Sequence, residues 1–350
     1  MKDLLVCLTV NGLANRLRFM ASCKILADSL NREFVLYWKT PTREETVYGS
    51  DMDPDFDDLF DNDIPLFTLE KNQCTYQKNI DDIASITCGK VNGKLKYKNN
   101  KIVEIKNEDY VDYYRVSNTN LHHIKEFYDK KIIILEGDTI FYDSDVAEYN
   151  LKKTIFYQNL VPIKYIRDLL DEFLPTTTKF VGIHARIHNK KYDAIQDTKD
   201  EWFDDYQYEM IENVIKYYEE KDKITNEETK MILLSNNSDV LKHFSNKYSE
   251  KILIFNNTNF DRDNDGIIHA LFEWYILANC KIIWGSRGSS YSNEATYLNR
   301  ITKRFLVDFS KIEDLTKLSE DSTSCYSVVD KEYKNIKNPE NSEKILAIIF

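Results

Sequence analysis

Short apolar runs alternate along much of the chain with segments in which apolar residues recur every third or fourth position. Runs of about four to eight apolar residues are typical of buried strands, and the wider spacing is typical of one face of a helix. From residue 180 onward the two patterns alternate regularly. Strands that alternate with helices predict a doubly wound α/β fold with a parallel sheet.

In this second half the pattern predicts five strands and four helices. The strands are Phe180–Ala185, Met231–Ser235, Lys251–Phe255, Lys281–Trp284 and Arg304–Val307, and the helices are Trp202–Lys221, Ser238–Tyr248, Gly266–Asn279 and Tyr291–Arg300. The loop Gly285–Ser290 consists mostly of small residues and precedes the last helix.

The first half opens with a βαβ pattern and is harder to interpret afterwards. It predicts strands Asp3–Val10, Glu33–Trp38, Lys94–Tyr97, Lys101–Ile105 and Lys131–Gly137, and helices Asn15–Leu30 and Leu160–Leu174. Pro162 suits the first turn of the last helix, and Pro175 should end it. We therefore expect three parts: an N-terminal Rossmann-like domain over 1–160, a second over 161–320, and a tail over 321–350 that docks back.

Residues 50–63, SDMDPDFDDLFDND, are dense in acidic side chains. An acidic metal site is one interpretation, but the spacing lacks the glycine and the terminal glutamate of an EF-hand loop. A solvated helix start with an apolar face is the other, because Phe56, Leu59 and Phe60 are embedded in the segment. We favour the second interpretation.

The net charge of −11 over 350 residues argues against a nucleic-acid-binding surface. An anionic ligand would then need a local basic pocket. No apolar run approaches the roughly 20 residues that span a bilayer, and the first residues lack a secretory signal pattern. The six cysteines lack the spacing of a zinc site. We expect a cytoplasmic protein with no membrane span and no bound metal.

Three segments of the second half carry candidate chemistry, and the carboxyl ends of parallel strands place ligands at one edge of a sheet. His184, Arg186 and Lys190 follow the first strand of this half. Glu273 lies in a strongly apolar helix, where a carboxylate needs a partner. The loop and helix start over 285–293 offer serine hydroxyls and backbone N–H groups. Together these segments predict a nucleoside diphosphate site.

The loop after the first strand is a second candidate anion site. The sequence NGLANRLR places Arg16 and Arg18 in the first helical turn, where backbone N–H groups favour anions. The loop contains one glycine, Gly12, so it is neither a P-loop nor a dinucleotide fingerprint.

These motifs resemble those of a known enzyme superfamily. HARIHNK, from His184 to Lys190, resembles the HxRR(T)DK segment of the fucosyltransferases that include the α-1,6-, nodulation and protein O-fucosyltransferases. FEWYILANCKIIWGSRGSSYSNEA, within Leu271–Tyr297, resembles their later motif, and VNGLANRLRFMASCKILAD resembles the loop that opens their first domain. The resemblance touches both halves of the chain, whereas residues 40–130 match nothing known to us.

The resemblance implies a GT-B fold, two Rossmann-like domains facing across a cleft, and inverting transfer without a metal. It implies a GDP-fucose donor and a glycan acceptor, with His184 and Glu273 on the guanine side and Arg186 on the diphosphate. The implied nucleotide-sugar-binding residues are Asn11, Gly12, Asn15, Arg16, His184, Arg186, Glu273, Ser286, Arg287, Ser289 and Ser290. The implied catalytic residues are Arg186 and Lys190, and Asp193 is the candidate general base.

Two positions depart from the family pattern. Ile187 replaces the second arginine and Asn189 replaces the aspartate. Arg287 could supply the lost charge, and Asp197, Asp200 and Asp204 are alternatives to Asp193 as the base. The departures leave two alternatives open: a GT-B transferase with another nucleotide sugar, or a nucleotide- or glycan-binding protein that has lost turnover.

Overall fold

A computed structural model describes most of the chain up to residue 306. The described residues are 3–38, 54–72, 75–76, 84–87, 91–99, 101–105, 111–116, 131–138, 146–177, 180–187, 201–226, 228–255, 259–261, 263–286, 289–298 and 303–306. The chain divides into two compact units, Met1–Lys164 with Arg262–Ile268, and Tyr165–Asp261 with His269–Phe350. The predicted tail over 321–350 lies outside the described residues.

The first unit is built on a nine-stranded sheet. Its elements are β1 (Leu4–Thr9), α1 (Leu13–Ser29), β2 (Glu33–Tyr37), β3 (Leu66–Asn72), β4 (Thr75–Tyr76), β5 (Ala84–Thr87), β6 (Val91–Lys96), β7 (Ile102–Ile105), β8 (Val111–Val116), β9 (Ile132–Gly137) and α2 (Val146–Gln158). The strand order is β4-β5-β8-β9-β1-β2-β3-β6-β7. The five strands from β8 to β3 pair in parallel, and the pairs at both edges are antiparallel.

The opening βαβ unit and the two short strands predicted in the Lys-rich region are confirmed. The centre of the sheet, β9-β1-β2, consists of apolar runs that are buried throughout their length except at Glu33. The antiparallel strands at the edges carry more polar residues, such as VNGKLK in β6. An edge strand is only partly covered by its neighbours, so its hydrophobic pattern is weaker than that of a central strand.

One predicted helix proves to have different limits. The structure has α2 before it, which the apolar pattern did not predict, and then α3 (Lys164–Thr177). Helix α3 begins after Pro162 because residues 161–163 hydrogen-bond to the chain at 59–61: Asp61 N donates to Val161 O and Ile163 N donates to Leu59 O. Pro175 does not end the helix, which continues to Thr177; near the last turn a proline removes one hydrogen bond without preventing the turn.

The acidic segment forms a short 3-10 helix, Phe56–Asp58, with the predicted apolar face. Phe56, Leu59 and Phe60 are buried, and the Phe56 and Phe60 rings stack at 5.1 Å. Asp55 and Asp58 form a reciprocal capping box, in which each side chain accepts a hydrogen bond from the other residue's backbone N–H. The carboxylates at both ends of this turn therefore satisfy backbone donors.

The second unit is built on a five-stranded parallel sheet. After α3 its elements are β10 (Val181–Ala185), α4 (Glu201–Thr225), β11 (Met231–Ser235), α5 (Ser238–Lys247), β12 (Ile252–Leu253), α6 (Asn264–Ala278), β13 (Ile282–Gly285), α7 (Ser290–Leu298) and β14 (Lys303–Leu306). The strand order is β12-β11-β10-β13-β14. The predicted alternation of strands and helices in this half is confirmed. No helix in the described ranges has the length and apolarity needed to cross a membrane.

Alternate residues of β10 lie on opposite faces of this sheet. Val181, Ile183 and Ala185 belong to a core cluster with residues of α4 and α5, and Ile187 continues the same series. Gly182 lies against the other face, where a side chain at its position would meet Leu277 of α6. The period of two places His184 on the face of Gly182 and away from the core cluster.

Gly182 supplies a stability prediction, because α6 packs closely on β10. A Cβ atom at position 182 would lie 2.7 Å from Leu277 Cδ1 and 3.0 Å from Cys280 Sγ, and both residues are buried. We expect Gly182→Ala to lower the free energy of unfolding by about 1–3 kcal/mol, the usual cost of overpacking. Denaturant unfolding measures this difference.

Gly12 provides the matched control for this change. A Cβ atom there would meet nothing within 4 Å, and the backbone φ of −71° suits any residue. Gly12→Ala should therefore leave the unfolding midpoint nearly unchanged. Equal midpoints for the two variants would contradict the close packing of α6 on β10.

Candidate functional site

The candidate site lies where β10 and β13 end side by side in the second sheet. From β10 the chain moves to β11 and β12 on one side, whereas β13 leads to β14 on the other side. Strands are thus added to one side of β10 first and to its other side afterwards, so the connections leave β10 and β13 in opposite directions across the sheet. In open parallel sheets, ligands bind beyond the carboxyl ends of the strands at such a switch point. His184 and Gly285 are register partners at these ends.

Ser286 ties the two strand ends together. Its backbone N–H donates to His184 O at 3.0 Å, and its buried hydroxyl accepts a hydrogen bond of 2.8 Å from the Arg186 N–H. The same hydroxyl donates to Gln207 Oε1 and lies 3.1 Å from His184 O. Ser286 therefore fixes the backbone from which His184 and Arg186 project. Its predicted role as a direct nucleotide ligand stays a prediction.

His184 presents a buried ring nitrogen. Its Nδ1 has no hydrogen-bond partner within the described ranges, and the ring stacks on Tyr291 with centroids 4.8 Å apart. Burial, and then the charge of Arg186, lowers the pKa of His184 to about 3. The imidazole is therefore neutral near pH 7, with one nitrogen as donor and the other as acceptor. A buried polar atom without a partner is rare in folded proteins, so His184 Nδ1 is a candidate for a hydrogen bond to a ligand.

Tyr291 connects this histidine to α6. Its hydroxyl donates to the Ala270 carbonyl oxygen at 2.5 Å. Burial, and then the charge of Glu273, raises the pKa of Tyr291 well above its usual value. The phenol therefore stays protonated and links β10, α6 and α7. No pattern in the sequence indicates this role, because Tyr291 resembles an ordinary residue at a helix start.

Glu273 is the carboxylate of the site. It is 8% exposed, and burial raises its pKa, whereas the hydrogen bond and charge of His269 lower it. His269 Nε2 lies 3.1 Å from Glu273 Oε1, one helical turn earlier on α6. The three segments predicted to share an edge thus come together through Tyr291. His184 stacks on its ring, and the charge of Glu273 raises the pKa of its hydroxyl group.

The start of α7 adds buried polar atoms. Ser289 Oγ, Ser292 Oγ and Asn293 Oδ1 are buried, and the described residues offer them no hydrogen-bond partner. The backbone turn is fixed by Ser289 N donating to Ser286 O at 3.2 Å and Asn293 N donating to Ser289 O at 3.3 Å. Ser290 is the first residue of the helix and is half-buried. Hydroxyls and free N–H groups at a helix start suit phosphate oxygens.

The position of Ile187 explains one departure from the family pattern. Ile187 is 5% exposed and belongs to the core cluster beneath the sheet. Its backbone N–H donates to Asn236 Oδ1 at 2.8 Å, and Asn236 Nδ2 donates to Ile187 O at 2.7 Å. An arginine at this position would have to leave the core cluster. Ile187 therefore packs the core and holds the chain directly after Arg186.

Several predicted site residues lie outside the described ranges. Lys190, Asp193, Asn189 and Arg287 are among the residues that the structure does not describe. Arg186 is half-buried and follows the strand end as predicted. The functional roles given to these residues stay predictions.

The loop of the first unit, from Asn11 to Arg16, has its own network. Asn11 has a positive φ of 68°, and its Nδ2 donates to Asp138 Oδ2. Arg16 is fully buried: its Nε donates to Asn11 O at 2.8 Å, its Nη1 donates to Trp38 O, and its guanidinium lies over the Trp38 ring. Arg16 thus has a structural role that the sequence did not suggest. Ligand binding by Asn11, Gly12, Asn15 and Arg16 stays a prediction.

Glu136 is a buried titratable residue that the sequence pattern did not single out. It ends the otherwise apolar strand β9, is 5% exposed, and has a pKa of about 7, raised by burial and then by Asp138. A carboxylate inside the run IIILEG was the available signal.

The described residues contain no group of three or more histidine, cysteine or acidic side chains that could hold a metal ion.

No protein-family model matches the sequence, and no curated protein matches it. Solved structures with a similar fold include the following two. One is an arginine-to-lysine variant of Arabidopsis thaliana FUT1 in complex with GDP, with 12% sequence identity, a TM-score of 0.53, and coverage of 88% of this chain and 72% of that one. The other is the fucosyltransferase NodZ from Bradyrhizobium, with 13% identity, a TM-score of 0.50, and coverage of 85% and 93%. The predicted α/β fold class, GT-B, is confirmed.

Proposed function

We propose that the protein is a glycosyltransferase that moves L-fucose from GDP-fucose to a glycan hydroxyl group, with inversion at the sugar carbon. One observation carries this proposal. At the switch point of the second sheet, buried polar atoms of His184, Ser289 and Ser292 have no partner in the described part of the chain, and the charge of Glu273 acts on Tyr291, the residue on which His184 stacks. The fold supports it, since the similar structures include a GDP complex and a fucosyltransferase.

Glu273 is the proposed partner of the donor base. Guanine carries two adjacent donors, N1–H and N2–H₂, and an ionised carboxylate accepts two parallel hydrogen bonds. Uracil and adenine each present an acceptor along the same edge. A neutral His184, whose ring stacks on Tyr291, can add one further hydrogen bond through Nδ1, in whichever tautomer the base requires. The site therefore favours a guanine nucleotide.

The diphosphate is proposed to lie between Arg186 and the start of α7. As the bond to the sugar breaks, negative charge develops on the leaving phosphate oxygen, and fixed cations and N–H donors stabilise it. Arg186 supplies a planar fork of donors. The helix start at Ser289 and Ser290 supplies hydroxyl and backbone N–H groups. Lys190 and Arg287 are further proposed cations.

The acceptor hydroxyl group must lose a proton during transfer. A carboxylate can take that proton as general base. We propose Asp193 for this step, because it follows Arg186 closely in the sequence. Inversion follows when the acceptor oxygen attacks the sugar carbon on the face opposite the leaving diphosphate.

An assay of donor consumption tests the proposed function. The protein is incubated with a panel of glycan acceptors and GDP-fucose, GDP-mannose or a UDP-sugar, and the released nucleotide is measured. We expect GDP release from GDP-fucose that depends on an acceptor. Release from another nucleotide sugar alone would change the donor, and GDP binding without turnover on any acceptor would indicate a binding protein.

The same assay carries a prediction about metals. We expect the rate of GDP release to be unchanged by EDTA, because Arg186, Lys190 and N–H donors are proposed to offset the charge of the diphosphate. The matched control is the same reaction with added magnesium, which should not raise the rate. A rate that EDTA abolishes and manganese restores would contradict this account of the leaving group.

A further inference from the structure

His269 stands out because it contacts Glu273 from the same helix and has no place in the family motifs. The two residues are four apart on α6, so they lie on one face of the helix. His269 Nε2 is 3.1 Å from Glu273 Oε1, and the histidine side chain is 25% exposed whereas that of the glutamate is 11% exposed. The carboxylate is therefore enclosed, and the imidazole connects it to solvent.

The other groups around Glu273 do not offset its charge. From α7, Tyr291 points its hydroxyl at Ala270 O, and its proton is held there. From β10, His184 is neutral, and Arg186 acts on His184. Within the described ranges, His269 is the one group that hydrogen-bonds to the Glu273 carboxylate. Its opposite oxygen, Oε2, receives no hydrogen bond from the described residues.

We propose that His269 determines base specificity at this site, by holding Glu273 in its charged, acceptor-only form and fixing the direction of its carboxylate. This inference rests on the proposed GDP-sugar donor. His269 acts through Glu273 and is therefore a positioning residue. Oε1 can accept from His269 and from the base together, because a carboxylate oxygen has two lone pairs.

The protonation state of Glu273 decides which base fits. An ionised carboxylate accepts from both guanine N1–H and N2–H₂. A protonated carboxyl group offers one O–H donor and one acceptor, which matches adenine, whose N1 accepts and whose N6–H₂ donates. Facing guanine, that O–H would meet another donor. Loss of the charge should therefore weaken GDP binding and favour ADP relative to GDP.

The direction of the pH dependence follows from the contacts. Burial raises the pKa of Glu273 above its usual value, and the hydrogen bond and charge of His269 offset part of that rise. GDP affinity should be complete above the pKa of Glu273 and should fall as the pH drops through it. Without His269 the opposing influence is lost, so the pKa rises further and the fall in GDP affinity begins at a higher pH.

Calorimetric titration with GDP and ADP over a pH series tests this inference. In His269→Leu we expect GDP to bind roughly tenfold more weakly at mildly acidic pH, since a hydrogen bond to a charged group is lost. His269→Gln retains an N–H donor without the charge, and its profile should lie between those of Leu and the unmodified protein. His269→Ala serves as a second truncation should the Leu variant not fold.

His243→Leu is the matched control. It removes an exposed histidine of α5 whose ring contacts are to Tyr208 and Phe244. Its GDP profile should equal that of the unmodified protein. If the unmodified protein prefers GDP and a folded His269→Leu or His269→Ala variant keeps the same GDP-to-ADP ratio and pH profile, the role of His269 is overturned and the donor stands. If the unmodified protein shows no preference for GDP at any pH, the donor and this inference fall together.

Discussion

Replacing Arg186 with alanine should lower donor turnover by at least about a hundredfold, because the two or more hydrogen bonds to phosphate that it would remove are each worth roughly 1.5–3 kcal/mol. The effect should be concentrated in turnover, since charge builds on the leaving oxygen in the transition state. Arg186→Lys keeps the charge but loses the fork, and we expect about a tenfold loss.

The surroundings of Arg186 make this substitution interpretable. Its backbone is held from both sides, by Ser286 Oγ at its own N–H and by Asn236 at Ile187. Truncating the side chain leaves both contacts in place, so the variant should melt near the temperature of the unmodified protein. Lys242→Ala, which removes an exposed cation from α5, is the control for a change in net charge. Unchanged turnover in a folded Arg186→Ala variant would contradict the diphosphate assignment.

Replacing Glu273 with glutamine should remove the preference for guanine. The amide keeps the shape of the carboxyl group but offers one acceptor and a donor, so one guanine N–H group is left without a partner. A site built to hydrogen-bond a ligand group loses much of its affinity when that hydrogen bond can no longer form. We expect GDP to bind roughly tenfold to a hundredfold more weakly, while the affinity for UDP changes little and that for ADP does not fall, because the donor and acceptor of the amide match adenine.

Without ligand, the melting temperature of the Glu273→Gln variant should rise or stay constant. The carboxylate of Glu273 is buried, and burial disfavours its charged form. A neutral amide lacks that cost. Melting temperatures measured alone and with each nucleotide separate the two effects. A Glu273→Gln variant that is destabilised alone but keeps its full GDP shift would indicate a structural role for the carboxylate.

The second half of the chain could be predicted because its strands β10, β11 and β13 are buried on both faces. Runs such as Ile282–Trp284 show no alternation, and their length distinguishes them from helices. The order of strands and helices then places His184, Ser286 and Ser289 at one edge. The pattern could not supply the contacts between them, since the stacking of His184 on Tyr291 joins residues more than a hundred positions apart.

Other features depended on tertiary contacts that no local pattern encodes. Arg16 resembles an anion ligand at a helix start, but its guanidinium is buried over Trp38. Helix α3 begins later than its apolar spacing indicates because Val161 and Ile163 hydrogen-bond to the preceding segment. Ile187 reads as a lost arginine in the motif, whereas in the fold it is a core residue.

Titration of the unmodified protein with GDP, UDP and ADP by isothermal calorimetry tests the central claim most directly, namely that the edge formed by His184, Glu273 and the start of α7 binds a guanine nucleoside diphosphate. We predict that GDP binds at least about tenfold more tightly than UDP or ADP, because Glu273 would accept both guanine donors. A bound nucleotide at 100 times its dissociation constant would also add about 2.7 kcal/mol to the free energy of unfolding. Equal affinities for the three nucleotides, or no binding of GDP, would contradict the claim.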